Sequence, residues 1–197
     1  MVVLVDSLAQ ASERLIDFRP KKKWYRRFCK RSAVAVILKK TDAGLEALMI
    51  KRAEREGDPW SGHMAFPGGR AEQVDVNNLA TARRETWEEI GLQTHAHTQC
   101  LGRLSDIRIR LYLTRKPMVV TPYLFSIEEV PDLTINHEVA EVIWVPLAFL
   151  ADKNNRQRMQ WTRKKVSLDL PCYFFREQKI WGISLMMLDE LITLVKI

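Results

Sequence analysis

Cysteine is scarce in this chain: Cys29, Cys100 and Cys172 stand far apart and are odd in number. That excludes a disulfide framework and any close-spaced thiol metal site, and it suits three idle thiols in a reducing cytoplasm. Long apolar runs are missing as well. No stretch approaches the ~20 residues that cross a bilayer as a helix, so no membrane role is expected. The opening MVVLVDSLAQASERLIDF has no positive charge ahead of its apolar residues, and Asp6 and Glu13 interrupt it. It reads as an amphipathic helix, not a secretory signal. Internal repeats, low-complexity tracts and linkers are also lacking.

At 197 residues, with 47% hydrophobic and 28% charged side chains, the chain is long enough to bury one core and has ordinary globular composition. We divide it into an N-terminal helix and basic extension over 1–31 and a catalytic domain over 32–197. The net charge of +7 is concentrated. Arg19, Lys21, Lys22, Lys23, Arg26, Arg27, Lys30 and Arg31 crowd one segment that holds no acid. Such a run can bind nucleic acid or an anionic membrane. Trp24, Tyr25 and Phe28 interleave with the charges, however, which suits a segment packed on the domain with its basic side in water. Nucleic acid is therefore the lesser reading, and attraction of a small anionic substrate the preferred one.

The pattern along the chain predicts a mixed α/β fold. Ser32–Leu38 is an apolar run suited to a buried strand, Lys39–Gly44 a turn, and Leu45–Lys51 a second strand of a hairpin. Further strands are expected around Thr98–Leu104, Arg108–Thr114, Met118–Ile127 and Glu138–Pro146. Pro146 opens a short helix, Tyr173–Ile180 reads as a late hairpin, and Ile183–Val195 as a mostly buried amphipathic helix. Strands and helices in this mixed order suggest a sheet covered by helices on both sides.

The most informative stretch is FPGGRAEQVDVNNLATARRETWEEIGL, Phe66 to Leu92. Two glycines follow a turn and precede a helix expected over Asn78–Ile90, with Asn77 or Asn78 as its cap and Gly91 as its left-handed end. On that helix Glu85 lies over both Glu88 and Glu89, because residues three and four apart are neighbours. Stacked carboxylates cost a bare helix roughly 0.2–0.5 kcal/mol per pair. A cation would offset that cost, and oxygen-only donors suit Mg²⁺ or Mn²⁺, ions that also grip phosphate oxygens. Arg84 beside the cluster can orient a glutamate through a paired contact or touch substrate phosphate.

Gly69, Arg84, Glu85, Glu88, Glu89 and Gly91 resemble the signature of the Nudix hydrolases. The spacing from Gly69 to Arg84 is one residue longer than the usual pattern, and the intermediate acid is Asp75 or Glu72. The resemblance implies an α/β/α sandwich with a mixed β-sheet. It also implies a metal-dependent diphosphatase using Mg²⁺ or Mn²⁺, with Gly69 (through its carbonyl), Glu85, Glu88 and Glu89 as metal ligands and Arg84 orienting a glutamate. FPGG, the VVTP of Val119–Pro122, EVAEVIWVPL and the late IWGISLMML look like the coenzyme A diphosphatase branch. Family members often add a carboxylate from outside the signature; Glu138 and Glu141 are the candidates for base or extra ligand, and Glu141 is placed in the catalytic set. Arg52 and Trp60 are the expected substrate contacts. Trp60 can stack on a base or pin its loop to the core. Of the histidines only His63, next to the glycines, merits attention, as a loop residue bonded to backbone. The rival readings are a catalytically silent Nudix-fold nucleotide-binding or regulatory module, and an isomerase on the same fold.

Overall fold

A computed structural model describes residues 4, 7–57, 60–109, 117–163 and 166–196. In chain order the elements are α1 (Leu8–Asp17), a 3-10 turn (Trp24–Phe28), β1 (Lys30–Thr41), β2 (Gly44–Arg52), β3 (Met64–Ala65) and β4 (Gly68–Arg70). Then come α2 (Asn78–Ile90), α3 (Thr94–His97), β5 (Thr98–Arg103), β6 (Ile107–Ile109), β7 (Met118–Ile127) and β8 (Val139–Pro146). The chain closes with α4 (Leu147–Ala151), a 3-10 turn at Lys153–Asn155, β9 (Gln157–Arg163), β10 (Val166–Phe175), β11 (Gln178–Trp181) and α5 (Gly182–Val195). The strand expected over Arg108–Thr114 is thus represented by β6, and its later part lies outside the described residues.

Eight strands form one mixed sheet in which β1 and β7 are parallel and the other pairs antiparallel. Strand β1 is long enough to take β4 and then β2 as partners, with Ser32–Val34 opposite Gly68–Arg70 and Leu38–Thr41 opposite Gly44–Ala47. The hairpin turn expected over six residues is tighter, because both strands run into it and Gly44 turns the chain at φ 112°.

Alternation on β1 feeds two cores. Val34, Val36 and Leu38 face a layer holding Ala11 and Leu15 of α1 and Leu185, Leu188 and Leu191 of α5. Ala35 and Ile37 face a layer holding Ile90 of α2 and Leu92. Helices therefore cover both faces, as the sandwich requires. Burying a residue such as Ile37 or Phe125 completely is worth about 1.5–3 kcal/mol against leaving it exposed. Among the described residues no helix is long and apolar enough to cross a membrane.

Beyond the sandwich, β9, β10 and β11 make a second, three-stranded antiparallel sheet. The expected hairpin at Tyr173–Ile180 is its β10–β11 half. The Tyr173 hydroxyl donates to the Leu150 carbonyl at 2.8 Å, which fastens this sheet to α4, and Ser184 donates to the Met64 carbonyl at 3.0 Å, which fastens α5 to β3 of the main sheet.

The basic segment departs from expectation. Trp24 is 79% exposed and Phe28 63%, so the aromatics do not pack inward as a group. A cation goes inward instead. Arg26 reaches Asp106 at 3.5 Å, and Asp106 also accepts from Arg103 at 2.5 Å, Thr121 at 2.9 Å and the Lys23 N–H at 2.9 Å. The Lys21 N–H donates to Ser105 at 2.9 Å, and its carbonyl accepts from the Asp106 N–H at 3.0 Å. A buried acid on the β5–β6 connection thus holds the segment on the sheet.

Candidate active site

Helix α2 has the expected bounds because its ends are well specified. The Asn77 side chain accepts from the Ala80 N–H at 2.9 Å, and Gly91 sits in the left-handed region at φ 68°. The helix lies with Glu89 against the β4 strand. There Gly68 adopts φ 151°, and a Cβ on it would stand 2.3 Å from the Ala33 carbonyl oxygen. A Cβ on Gly69 would stand 2.4 Å from the Glu85 carboxylate. Gly68 is confined to glycine by its backbone angle and by the Ala33 carbonyl, whereas a side chain at 69 would have to push the Glu85 carboxylate aside. Ser32, opposite Arg70 across the ladder, donates its hydroxyl to the Gly69 carbonyl at 2.5 Å.

Glu89 is 3% exposed, and its carboxylate accepts from the Gly68 N–H at 2.8 Å. Burial pushes its pKa up to about 8, opposed by that N–H; the negative charges of Glu85 and Glu138 push the same way, and Arg52 opposes them. Glu85 is half-buried and also shifted upward, first by desolvation, with Arg84 pulling down. Glu85 thus adds to the proton affinity of Glu89, while the negative charges that raise Glu85 itself are those of Glu88 and Glu72.

Arg84 is the clamp beside them. It binds both oxygens of Asp75, at 3.0 and 3.1 Å, and donates to Glu85 at 2.9 Å, Glu88 at 2.9 Å and the Arg70 carbonyl at 3.0 Å. The Arg84 hydrogen bond is the main cause that holds the Asp75 carboxyl down at about 2, against the opposing effect of burial. Asp75 also accepts from Thr81 and the Glu72 N–H. Its place is behind Arg84, which sequence reasoning missed although the signal was there: an acid nine residues before an arginine in a turn that leads into the helix.

Among the described residues no three carboxylate, histidine or cysteine side chains stand together in metal-ligand geometry. Glu88 is turned to Arg84 and is half exposed, while Glu89 is held by Gly68. The donor chemistry nonetheless fits a hard divalent ion. Two desolvated carboxylates, with Glu85 adding its negative charge to the field at Glu89, lie against the Gly68–Gly69 strand.

The two outlying acids part company. Strand β8 carries Glu141 opposite Lys51, in step with Met49 opposite Ile143, so both belong to the sheet face away from α2. Glu141 is exposed and is not brought to the cluster. Glu138 precedes β8, pairs with Arg55 at 3.4 Å and adds its charge to the field at Glu89. Its loop is tied to the end of α2, where the Thr134 and Asn136 N–H groups donate to the Ile90 and Glu89 carbonyls at 3.0 Å each. Arg52 stands near enough to Glu89 to lower its pKa. Trp60 is 37% exposed on the loop before the glycines, and His63 meets Trp181 edge-on at 5.0 Å between ring centres.

The chain is 27% identical over 153 residues to the uncharacterized Nudix hydrolase NudL of Photorhabdus laumondii, covering 76% of this chain and 78% of that protein. It is 29% identical over 146 residues to the human mitochondrial coenzyme A diphosphatase NUDT8, covering 72% and 59%. The chain spans as little as 35% of the length of another curated relative. An Ap4A hydrolase of C. elegans, in a binary complex, shares the fold with a TM-score of 0.51 at 20% identity, covering 61% of this chain and 82% of that one. The model of the NUDIX domain matches residues 30–169, well over half of the chain, and the protein belongs to the Nudix family.

Proposed function

We propose that this protein is a divalent-metal-dependent hydrolase that cleaves the diphosphate bond of a nucleoside diphosphate linked to another moiety. The observation that carries the reading is the pair of desolvated glutamates, Glu85 and Glu89, against Gly68 and Gly69 with Arg84 clamped beside them. Glu85, Glu88, Glu89 and the Gly69 carbonyl would hold Mg²⁺ or Mn²⁺; that carbonyl keeps a second lone pair beside its bond to Ser32. Such an ion lowers the charge repulsion that makes diphosphates inert and polarises the phosphorus.

The side chains then divide the work. Arg84, anchored by Asp75, sets the direction of the Glu85 and Glu88 carboxylates. Glu138 is the better placed of the two outlying acids to take a proton from the attacking water, since it shares the field of Glu89 while Glu141 does not. Arg52 faces the same region as a cation for substrate phosphate, and Trp60 offers a ring for a base. Coenzyme A or a related nucleotide is the preferred substrate, supported by the likeness to NUDT8, and a cytoplasmic setting is supported by three free thiols.

The test is a panel of coenzyme A, ADP-ribose, NADH, dinucleoside polyphosphates and nucleoside triphosphates, assayed with Mg²⁺ and with Mn²⁺. The expected products are a nucleoside monophosphate and a phosphorylated remainder. No metal-dependent turnover of any of them by folded protein would sink the reading.

A further inference from the structure

Trp24 and Phe28 protrude from a turn whose neighbours are almost all cationic. Lys22, Arg27, Lys30 and Arg31 are exposed, and among the described residues none of them is in an ion pair; Lys21 instead borders a hollow that it shares with Glu13, Asp17, Asp189 and Glu190. Arg108 of β6 adds a further guanidinium over the Tyr25 ring at 5.7 Å. Ile16, at the end of α1, is 70% exposed in the same N-terminal region. The turn is fastened from beneath by Arg26 and the Lys23 N–H on Asp106, so its outward display is built into the fold.

We propose that this surface docks on an anionic lipid bilayer, holding the protein peripherally with Trp24 and Phe28 at the headgroup level. Charge complementarity gives the attraction, since each Lys or Arg near a negatively charged bilayer contributes independently. Exposed tryptophan and phenylalanine flanked by cations are the side chains that settle at the boundary between headgroups and acyl chains. A single-stranded nucleic acid fits less well, since one face of the Phe28 ring carries the Arg27 guanidinium at 4.7 Å, which leaves Trp24 as the more open stacking platform of the two, whereas lipid insertion uses the exposed edges of both rings.

The experiment is co-sedimentation of the full chain with phosphatidylcholine vesicles, with and without phosphatidylglycerol, at low and high salt. The expected result is binding only to the anionic vesicles, weakened by salt. The variant Lys22→Gln/Arg27→Gln/Lys30→Gln should lose on the order of 100-fold in partition. Trp24→Ser/Phe28→Ser should lose on the order of tenfold. Both should keep the wild-type circular dichroism and melting temperature, because neither set is buried. The proposal is overturned by failure to sediment with anionic vesicles at low salt, by equal binding to neutral vesicles, or by variants that partition like wild type. Tighter binding of a single-stranded oligonucleotide than of vesicles would overturn it in favour of nucleic acid.

Discussion

Asp106 and Glu89 are carboxylates with almost the same exposure, 4% and 3%, but opposite surroundings. Asp106 is met by two guanidiniums, a hydroxyl and a backbone N–H. Glu89 is met by one backbone N–H and, at longer range, by two other acids and the single guanidinium of Arg52. The first arrangement is complete and ties chain segments together. The second compensates a buried carboxylate so poorly that the proton is held until a cation takes its place. Equal burial thus separates a structural acid from a functional one only when their partners are counted.

That contrast can be broken at either end. Glu89→Gln keeps the shape and removes the charge; metal-dependent turnover should fall by roughly 10²–10⁴-fold while the melting temperature holds or rises. Unchanged kcat in a folded variant would remove Glu89 from the metal site. Asp106→Ala should do the reverse, costing about 3–5 kcal/mol in denaturant unfolding by leaving Arg26 and Arg103 unmatched, with kcat per folded molecule nearly constant. A loss below about 1 kcal/mol would show that the network is dispensable.

The pH dependence of stability sharpens the comparison further. Between about pH 4.5 and 8 the metal-free native protein keeps a proton on Glu89 that the unfolded chain has released. Stability should therefore fall as pH rises through that window and level off above it. Glu89→Gln or saturating Mg²⁺ should flatten the slope in urea titrations. Asp75 has the opposite sign. Its depressed pKa gives stability present above about pH 3.8 and lost as pH falls toward 2, on the order of 2 kcal/mol, which Asp75→Asn should abolish. The smallest effect is expected for Glu141→Gln, which should change kcat less than twofold; Glu138→Gln should fall well below it. A large loss at Glu141 with none at Glu138 would reverse their assigned places.

Much of this was legible in the sequence wherever the cause is local. The span of α2 follows from Asn77 and Gly91, and the crowding of Glu85 and Glu89 from helical spacing alone. What was not legible depends on distant segments. Asp106 draws partners from residues 23, 26, 103 and 121, a convergence that no window of sequence contains. Glu138 and Glu141 looked equivalent because their difference rests on register: Glu141 is opposite Lys51, and a bulge follows between Lys51 and Arg52. Strand β9 was missed because QRMQWTR mixes charges with its apolar positions, and pairing with β10 supplies the order that propensity does not.

The connection at Thr134–Asn136 closes the end of α2 and also leads into Glu138. Gly91 is pressed there, since a Cβ on it would stand 3.2 Å from Thr134. One short segment therefore sets both the last turn of the helix and the distance between Glu89 and Glu138. Lengthening it by a residue would shift two carboxylates at once, so changes in this connection should surface as altered metal affinity and altered proton transfer together, never one alone.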